Sequence, residues 1–372
     1  MKNIKILFVV PCSPYFPSGI VRVEEFLPYF ALNGIRYKVI NFYSPTIQRS
    51  LHWLDKSIFS KTAVTDFILR AFFHALGIPY RWYRLLQILI SSIRYDIVFL
   101  QSVVPPAWFS KILTSLNKHV VFDFDDALYV VKKQRTQEII RHAWKVIAGS
   151  HVLYDYAHDY NSEVVLIPSS VPVEKYKETV LAKERYPLRI GWIGGPTTLK
   201  NLAILSEPFQ ALVQKGLIFE LLIAGVYGKG REVPEFGGLE IIEIPIYTGD
   251  DIPQLVASCD IGIMPLLDEP WERGRCAMKA LICMAGGIPV VCSPIGESQF
   301  IIRDGENGFL AANSQNWIEI LSKLLTEKEL RNRVGKAGRL TIEQGYSTEV
   351  CFKIIKEKIL GDFKALDSRN AK

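Results

Sequence analysis

Two groups of side chains in this sequence are spaced for chemistry: the cations Arg273, Arg275 and Lys279, and the carboxylates Asp123, Asp125 and Asp126. Three cations so close together suit an anion with several oxygens, above all a nucleotide diphosphate, because each supplies charge-assisted hydrogen bonds. The plain alternative is a solvated charged face. The run Asp123-Phe124-Asp125-Asp126 has the D-x-D pattern of hard-cation ligands. Equally, Asp125 or Asp126 would serve as a base or orienting group beside a reacting hydroxyl, or would cap the helix that follows. Two glycine turns complete the set. Ser18-Gly19 precedes Arg22, and Gly194-Gly195 precedes Lys200. A backbone that opens into a helix start favours phosphate, and glycine permits its close approach. Each turn also reads as an ordinary strand-to-helix connection.

The elements that must hold these groups need a sizeable chain. At 372 residues two domains are the default, and 49% hydrophobic with 22% charged residues is a globular balance. Cys12, Cys259, Cys276, Cys283, Cys292 and Cys351 form no C-x-x-C pair, so neither a disulfide framework nor a zinc site is read from them. A reducing compartment is expected. The apolar run Ile4–Val10 is too short for a secretory leader and reads as a buried strand. Leu85–Ile93 is broken by polar residues before it reaches span length, so no membrane crossing is expected.

Short β-branched runs alternate with amphipathic stretches, which predicts βαβ units in an α/β chain. Strands are expected near Ile4–Val10, Lys38–Phe42, Asp96–Gln101, Val120–Phe124, Lys145–Ala148 and Val164–Ile167. A second series runs through Leu188–Ile193, Phe219–Ala224, Glu240–Ile244, Asp260–Met264 and Pro289–Cys292. A proline-marked polar segment over 170–186 divides the two, giving domains 1–172 and 173–346. Residues 347–372 add a C-terminal helix, with Val350, Ile354, Ile355, Ile359 and Phe363 near helical spacing, that would pack back on the N-terminal domain.

The stretch Asp260–Ser298 contains Trp271-Glu272-Arg273-Gly274-Arg275-Cys276-Ala277-Met278-Lys279, then Met284-Ala285-Gly286-Gly287-Ile288-Pro289-Val290. It resembles the C-terminal signature of the retaining GT-B glycosyltransferases of family 4, in the branch with Trp-x-x-Gly-[Lys/Arg]-Cys-x-x-Lys. Val121–Ala127, Ile147–Ser150, Ile167–Val171 and Asp304–Phe309 fall in the order that branch shows, so the resemblance covers nearly the whole chain. It implies two Rossmann-like doubly wound domains facing a central cleft, acceptor on the first and nucleotide sugar on the second. The carry-over is incomplete. The family's E-x7-E glutamates align with Gly274 and Ile282, its phosphate-side arginine with Gly195, and a further glutamate with Phe300; its lysine is retained as Lys200. The resemblance offers Arg273, Arg275 and Lys279 as replacements, and places the diphosphate among Gly19, Arg22, Gly194, Gly195, Lys200 and the loop Gly296-Glu297-Ser298. The acidic pair Asp125 and Asp126 stands where similar enzymes have His-Asp. Such enzymes need no active-site metal, so no cofactor is expected, the nucleotide sugar being a co-substrate.

The expectation is a retaining, metal-independent hexosyltransferase that moves a sugar from a nucleotide-sugar donor to a polysaccharide or glycolipid acceptor. The alternative is a non-catalytic GT-B-fold binding protein with a degenerate donor site. A sugar-nucleotide epimerase would need an acid/base set that no motif supplies. Residues 1–180 carry a net +7 and the remainder −1, which fits an anionic partner on the first half. Phe67–Leu86 interleaves Arg70, Arg81 and Arg84 with Phe72, Phe73, Trp82 and Tyr83. That pattern suits a core, a membrane interface or single-stranded nucleic acid. With no nucleic-acid motif present, the expected location is cytoplasmic, peripheral at the inner face of an anionic membrane, and no nucleic-acid partner is expected.

Overall fold

A computed structural model describes residues 4–12, 17–56, 63–176, 186–226 and 233–370. Residues 13–16 of the first glycine turn, and 177–185 of the proline-marked segment, lie outside the described residues. The chain forms two units, Met1–Ser169 with Cys351–Lys372, and Ser170–Val350. The crossing segments run side by side within the second unit. Val171 N–H donates to Tyr346 O at 2.9 Å, and Thr348 N–H donates to Val171 O at 3.1 Å.

The first unit is built on six parallel strands: β1 Lys5–Val10, β2 Arg36–Asn41, β3 Ile97–Gln101, β4 Val120–Phe124, β5 Lys145–Ala148 and β6 Val164–Leu166. Their order is β2-β1-β3-β4-β5-β6, so the winding reverses between β1 and β3. Central strands such as β1 and β3 are almost continuously apolar because both faces are covered. On one face Ile6, Phe8 and Val10, alternating along β1, meet Phe30, Phe99 and the C-terminal residues Cys351, Phe352 and Phe363. The Phe8 ring lies 5.2 Å from both Phe30 and Phe99, and Phe352 stands edge-on to Phe30 at 5.0 Å.

The C-terminal segment is helical over Thr348–Ile355, widens over Lys356–Gly361 and continues as Asp362–Asn370. Its buried residues Cys351, Ile355, Ile359 and Phe363 recur every four positions. That period is too long for 3.6 residues per turn, and the wide turn absorbs the drift, keeping them on one face.

The second unit has β7 Leu188–Ile193, β8 Phe219–Ala224, β9 Glu240–Ile244, β10 Ile261–Met264, β11 Val290–Cys292 and β12 Phe309–Leu310. All pair in parallel, in the order β12-β11-β10-β7-β8-β9. The reversal falls between β7 and β10. Ile190 and Trp192 of β7 join one core, while Ile193 joins the other with Met264 and the helix Met278–Ala285. The six cysteines are buried, where they pack as small apolar side chains. Burial pushes the Cys12 thiol up to about 11, Cys351 to about 12, and Cys283 well above its ordinary range. None of these three is a nucleophile at neutral pH.

Candidate functional site

In a doubly wound sheet, ligand sits outside the carboxyl ends of the strands where the winding reverses. In the second unit that point is shared by the loops after β7 and β10. The first is fixed from both sides. Gly194 N–H donates to Ala224 O at 3.1 Å, and the Tyr247 hydroxyl donates to Gly194 O at 2.9 Å. From Gly195 the chain turns into the tight helical run Pro196–Leu205, which carries Lys200 and Asn201. Asn201 is fully buried and its Oδ1 accepts the Leu267 N–H at 3.1 Å, tying the two loops together. Among the described residues its Nδ2 has no hydrogen-bond partner.

The loop after β10 brings the predicted cations to this end of the sheet, but with partners that sequence reasoning missed. Lys200 pairs with Glu269. Arg273 holds Asp268 through two bonds of 2.6 and 3.0 Å, and Arg275 donates to the buried Glu272 at 2.7 Å. Each of these three cations has a carboxylate beside it, which the spacing of the cations alone does not show. Arg273 holds the Asp268 carboxyl below its usual range, and Asp268 raises the guanidinium in return. The first two pairs are exposed, and water screens such pairs, so they hold only weakly. An incoming diphosphate can displace them. Arg275 is different, because moving it would leave Glu272 as an unpaired buried charge.

Lys279 lies at the first turn of the helix Met278–Ala285, with its Nζ 5.5 Å from the centroid of the Trp192 ring. A Cβ on Gly194 would come within 2.5 Å of that ring and 2.7 Å of Lys279 Cε, so glycine is what lets the lysine lie against the loop. Ala277, just before the helix, takes a left-handed φ of 53°. A non-glycine residue held there costs about 1–3 kcal/mol, and such strain concentrates at functional loops. The loop after β11 closes the group. Gly296, at φ 64°, faces the carbonyls of Arg273, Glu272 and Arg275 at 2.9, 3.1 and 3.2 Å from where a Cβ would sit. Glu297 is buried, with its N–H on Arg275 O at 3.3 Å. Ser298 is turned into its own loop, donating to Ser293 O at 2.7 Å and accepting from Ile295 N–H at 3.2 Å. Ile282 is core, and Phe300 is exposed.

The other predicted residues belong to the first unit. Arg22 is not presented to an anion. It is buried and donates to Asp123 through Nε at 3.1 Å and through a second, shorter bond, and its remaining nitrogen reaches Ile167 O at 2.7 Å. Asp123 is thereby committed, so the D-x-D run is not arranged as a joint ligand set. Gly19 lies by the end of β1, where a Cβ would make ordinary contact with Val10 and Gln101. Asp125 accepts from the Ser102 hydroxyl at 2.9 Å and from Gln101 Nε2 at 3.4 Å. Ser102 has a left-handed φ of 49°, and Gln101 Oε1 is buried with no hydrogen-bond partner among the described residues. The following helix, Leu128–His142, takes Ala127 as its N-cap and receives no side-chain cap from it. Asp126 is half-buried beside it. Gln101 entered only as the end of the expected strand and resemblance stretch Asp96–Gln101, and Ser102 carried no motif; their position at the winding reversal of the first sheet singles them out.

Residues 187–327 match the family model described as glycosyl transferases group 1. D-inositol 3-phosphate glycosyltransferase of Salinispora arenicola is 32% identical over 166 residues, which is 40% of this chain and 36% of that protein. The chain thus aligns with little more than a third of that relative. Among solved structures, a glycosyltransferase from Rickettsia africae superposes with a TM-score of 0.67 at 18% identity, over 96% of this chain and 99% of its own. HepE of Anabaena in complex with UDP and glucose gives 0.65 at 15% identity, over 95% and 99%. The fold is GT-B.

Proposed function

We propose that the protein is a retaining glycosyltransferase of the branch with the Trp271-x-x-Gly274-Arg275-Cys276-x-x-Lys279 run, moving a sugar from a nucleotide-sugar donor to a saccharide or lipid-linked acceptor. The observation that carries this reading is the assembly of Lys200, Arg273 and Lys279 around the glycine turn at the β7/β10 reversal, inside the segment that matches the family model. In the reaction the bond between the sugar's anomeric carbon and the diphosphate oxygen breaks, and the acceptor oxygen bonds to that carbon. The acceptor hydroxyl gives up its proton. Lys200 and Arg273 leave their carboxylates to stabilise the charge growing on the departing diphosphate, with Lys279 beside them. Arg275 keeps Glu272 and holds the loop's shape. Asp125, positioned by Ser102, is the group that orients or deprotonates an acceptor hydroxyl on the first unit, with Asp126 next to it. We place this work at the cytoplasmic face of a membrane.

Titration with nucleoside diphosphates and a transfer screen over nucleotide sugars test the reading. Lys200→Ala is expected to weaken diphosphate binding by about 1.5–3 kcal/mol, the loss of one charge-assisted bond. Glu269→Gln should do the opposite and tighten it, because the lysine no longer has to leave a carboxylate. Unchanged affinity in both variants would remove Lys200 from the site. Transfer is also expected to persist in a metal chelator, since the cations can neutralise the diphosphate; full loss, restored by manganese or magnesium, would overturn that. A second reading, a donor-binding protein without transfer, is favoured by Gly274 and Ile282 at the glutamate positions. Tight diphosphate binding with no turnover across the screen would select it.

A further inference from the structure

The 30-residue helix Ala63–Ser92 of the first unit is apolar on two sides. One side buries Leu85 and Ile88 against the unit. On the other, Leu69, Phe72, Leu76, Leu86 and Ile90 recur at helical spacing, Ile93 follows just past the helix end, and all six are 40–68% exposed. A helix that is hydrophobic all round belongs in a core or against lipid. A continuous exposed stripe marks a contact surface, as scattered residues do not. The neighbouring helix Ala107–Leu116 extends it, since Trp108, Ile112 and Leu116 are exposed and Trp108 stacks on the exposed Trp82 at 5.9 Å. The core reading of this aromatic segment is therefore corrected. Among the described residues no helix is long and apolar enough to cross a membrane.

Beside the stripe is a pocket of about 330 Å³, whose wall includes Tyr43, Ile78 and Trp82, and whose cations are Arg81, Lys132 and Arg135. Among the described residues none of these cations is within ion-pair distance of a carboxylate, in contrast to Lys200, Arg273 and Arg275. The helix Leu128–His142 breaks from helical geometry at Lys132, with φ −137° and ψ 47°. Burial lowers the Lys132 ammonium's proton affinity, and Arg135 and Arg81 lower it further. Arg84 plays no part here, being folded onto Tyr80, with its Nε 2.8 Å from the hydroxyl, and onto Gln87. The side chain of Arg70 lies outside the described residues. Counted over the two units, the first carries 25 Lys and Arg against 15 Asp and Glu, a net +10, and the second 19 against 23, a net −4.

We propose that this pocket holds the phosphate head group of an anionic bilayer lipid, with the apolar stripe lying in the membrane interface beside it. Among the described residues these cations have no carboxylate and the stripe has no cover, and that pairing selects this occupant: a neutral protein surface would leave the charges unmet, and free phosphate would leave the stripe exposed. The aromatic pair Trp82 and Trp108 suits the boundary between head groups and chains. The inference concerns binding alone and stands whether or not transfer is found.

Co-sedimentation of the full chain with vesicles tests it. Binding is expected to phosphatidylcholine vesicles containing phosphatidic acid, to fade as salt rises, and to be weak with phosphatidylcholine alone. Arg81→Gln/Arg135→Gln should weaken it about thirtyfold, the equivalent of about 2 kcal/mol for two charges near such a surface. Ile90→Ser/Ile93→Ser, both exposed, should weaken it at unchanged circular dichroism. Equal binding to neutral and acidic vesicles, or undiminished binding by either variant, would overturn the proposal. So would full competition by inorganic phosphate at matched ionic strength, which would make free phosphate the ligand. A dimer in solution that Ile90→Ser/Ile93→Ser dissolves, with no vesicle binding by the wild type, would make a second copy the occupant.

Discussion

Asp123→Ala is expected to destabilise the first unit by about 3–5 kcal/mol, the usual cost of leaving one partner of a buried ion pair without the other. Arg22 and Asp123 are 4% and 1% exposed, so water does not reach the guanidinium as they stand. The arginine also spans three pieces of chain. It rises from the helix Pro17–Arg22, grips Asp123 in β4, and donates to Ile167 O just beyond β6. Losing the carboxylate therefore loosens the segment that carries Gly19 as well as the pair itself. Arg22→Met/Asp123→Leu removes both charges and replaces them with apolar volume, and should recover most of the loss or exceed the wild type. Chemical denaturation with native-state hydrogen exchange, read on the amides of β1 and β4, separates this unit from the other. A loss below about 1 kcal/mol in Asp123→Ala would mean that the guanidinium finds water. If that variant does not fold, the double variant still decides, since failure there would point to volume and not charge.

This pair shows where sequence reasoning stops. Asp123-Phe124-Asp125-Asp126 reads as a metal or acid motif because the letters show carboxylates and not their partners, and the partner, Arg22, is distant in the chain. The strands were more legible. Val120–Phe124, Lys145–Ala148, Leu188–Ile193, Phe219–Ala224 and Glu240–Ile244 take the predicted bounds; the first four are largely buried, as short apolar runs between polar turns are, and Glu240–Ile244 is the edge strand that mixes Glu with Ile. β12 escaped notice, since Phe309–Leu310 is too short to show any period. The helix Ala63–Ser92 gave no helical signal for a different reason. With apolar residues on both sides and Pro79 inside, it lacks the single stripe that marks a surface helix.

At the candidate site, the glycine turns and the cations were legible, and their partners were not. Glu272 and Arg275 are three apart on one short turn, a spacing that could have suggested their pairing. Lys200 and Glu269 are joined only because β7 and β10 are neighbours, which requires the sheet order. That difference changes the chemistry. A naked cationic cluster would attract any anion. A set of weak, exposed pairs gives way to a ligand with enough charge in the right place, as a diphosphate has, and resists a single carboxylate or chloride.

Gly225→Ala should have the largest effect at this site. Gly225 follows β8 directly at φ 93°, and a Cβ there would fall 1.8 Å from Gly194 O and 2.9 Å from Tyr247 Cε1. The left-handed backbone costs alanine about 1–2 kcal/mol, and forcing the contact apart costs about 1–3 kcal/mol more. The carbonyl that must move is the one that the Tyr247 hydroxyl holds, and Gly194 is also where Trp192 and Lys279 close in. The expected outcome is a second unit weaker by about 2–5 kcal/mol and a nucleoside diphosphate affinity lower by at least about tenfold, since positioning is lost with the loop. Gly195→Ala is the companion variant. Its φ is −111°, and a Cβ there would meet nothing within 4 Å, so stability should stay within about 0.5 kcal/mol of the wild type. If the diphosphate lies against this turn, the added methyl enters its space and binding falls without any loss of fold. Should Gly195→Ala bind diphosphate as well as the wild type, while Gly225→Ala loses only stability, the anion lies away from the β7 turn and Lys200 must reach it from elsewhere.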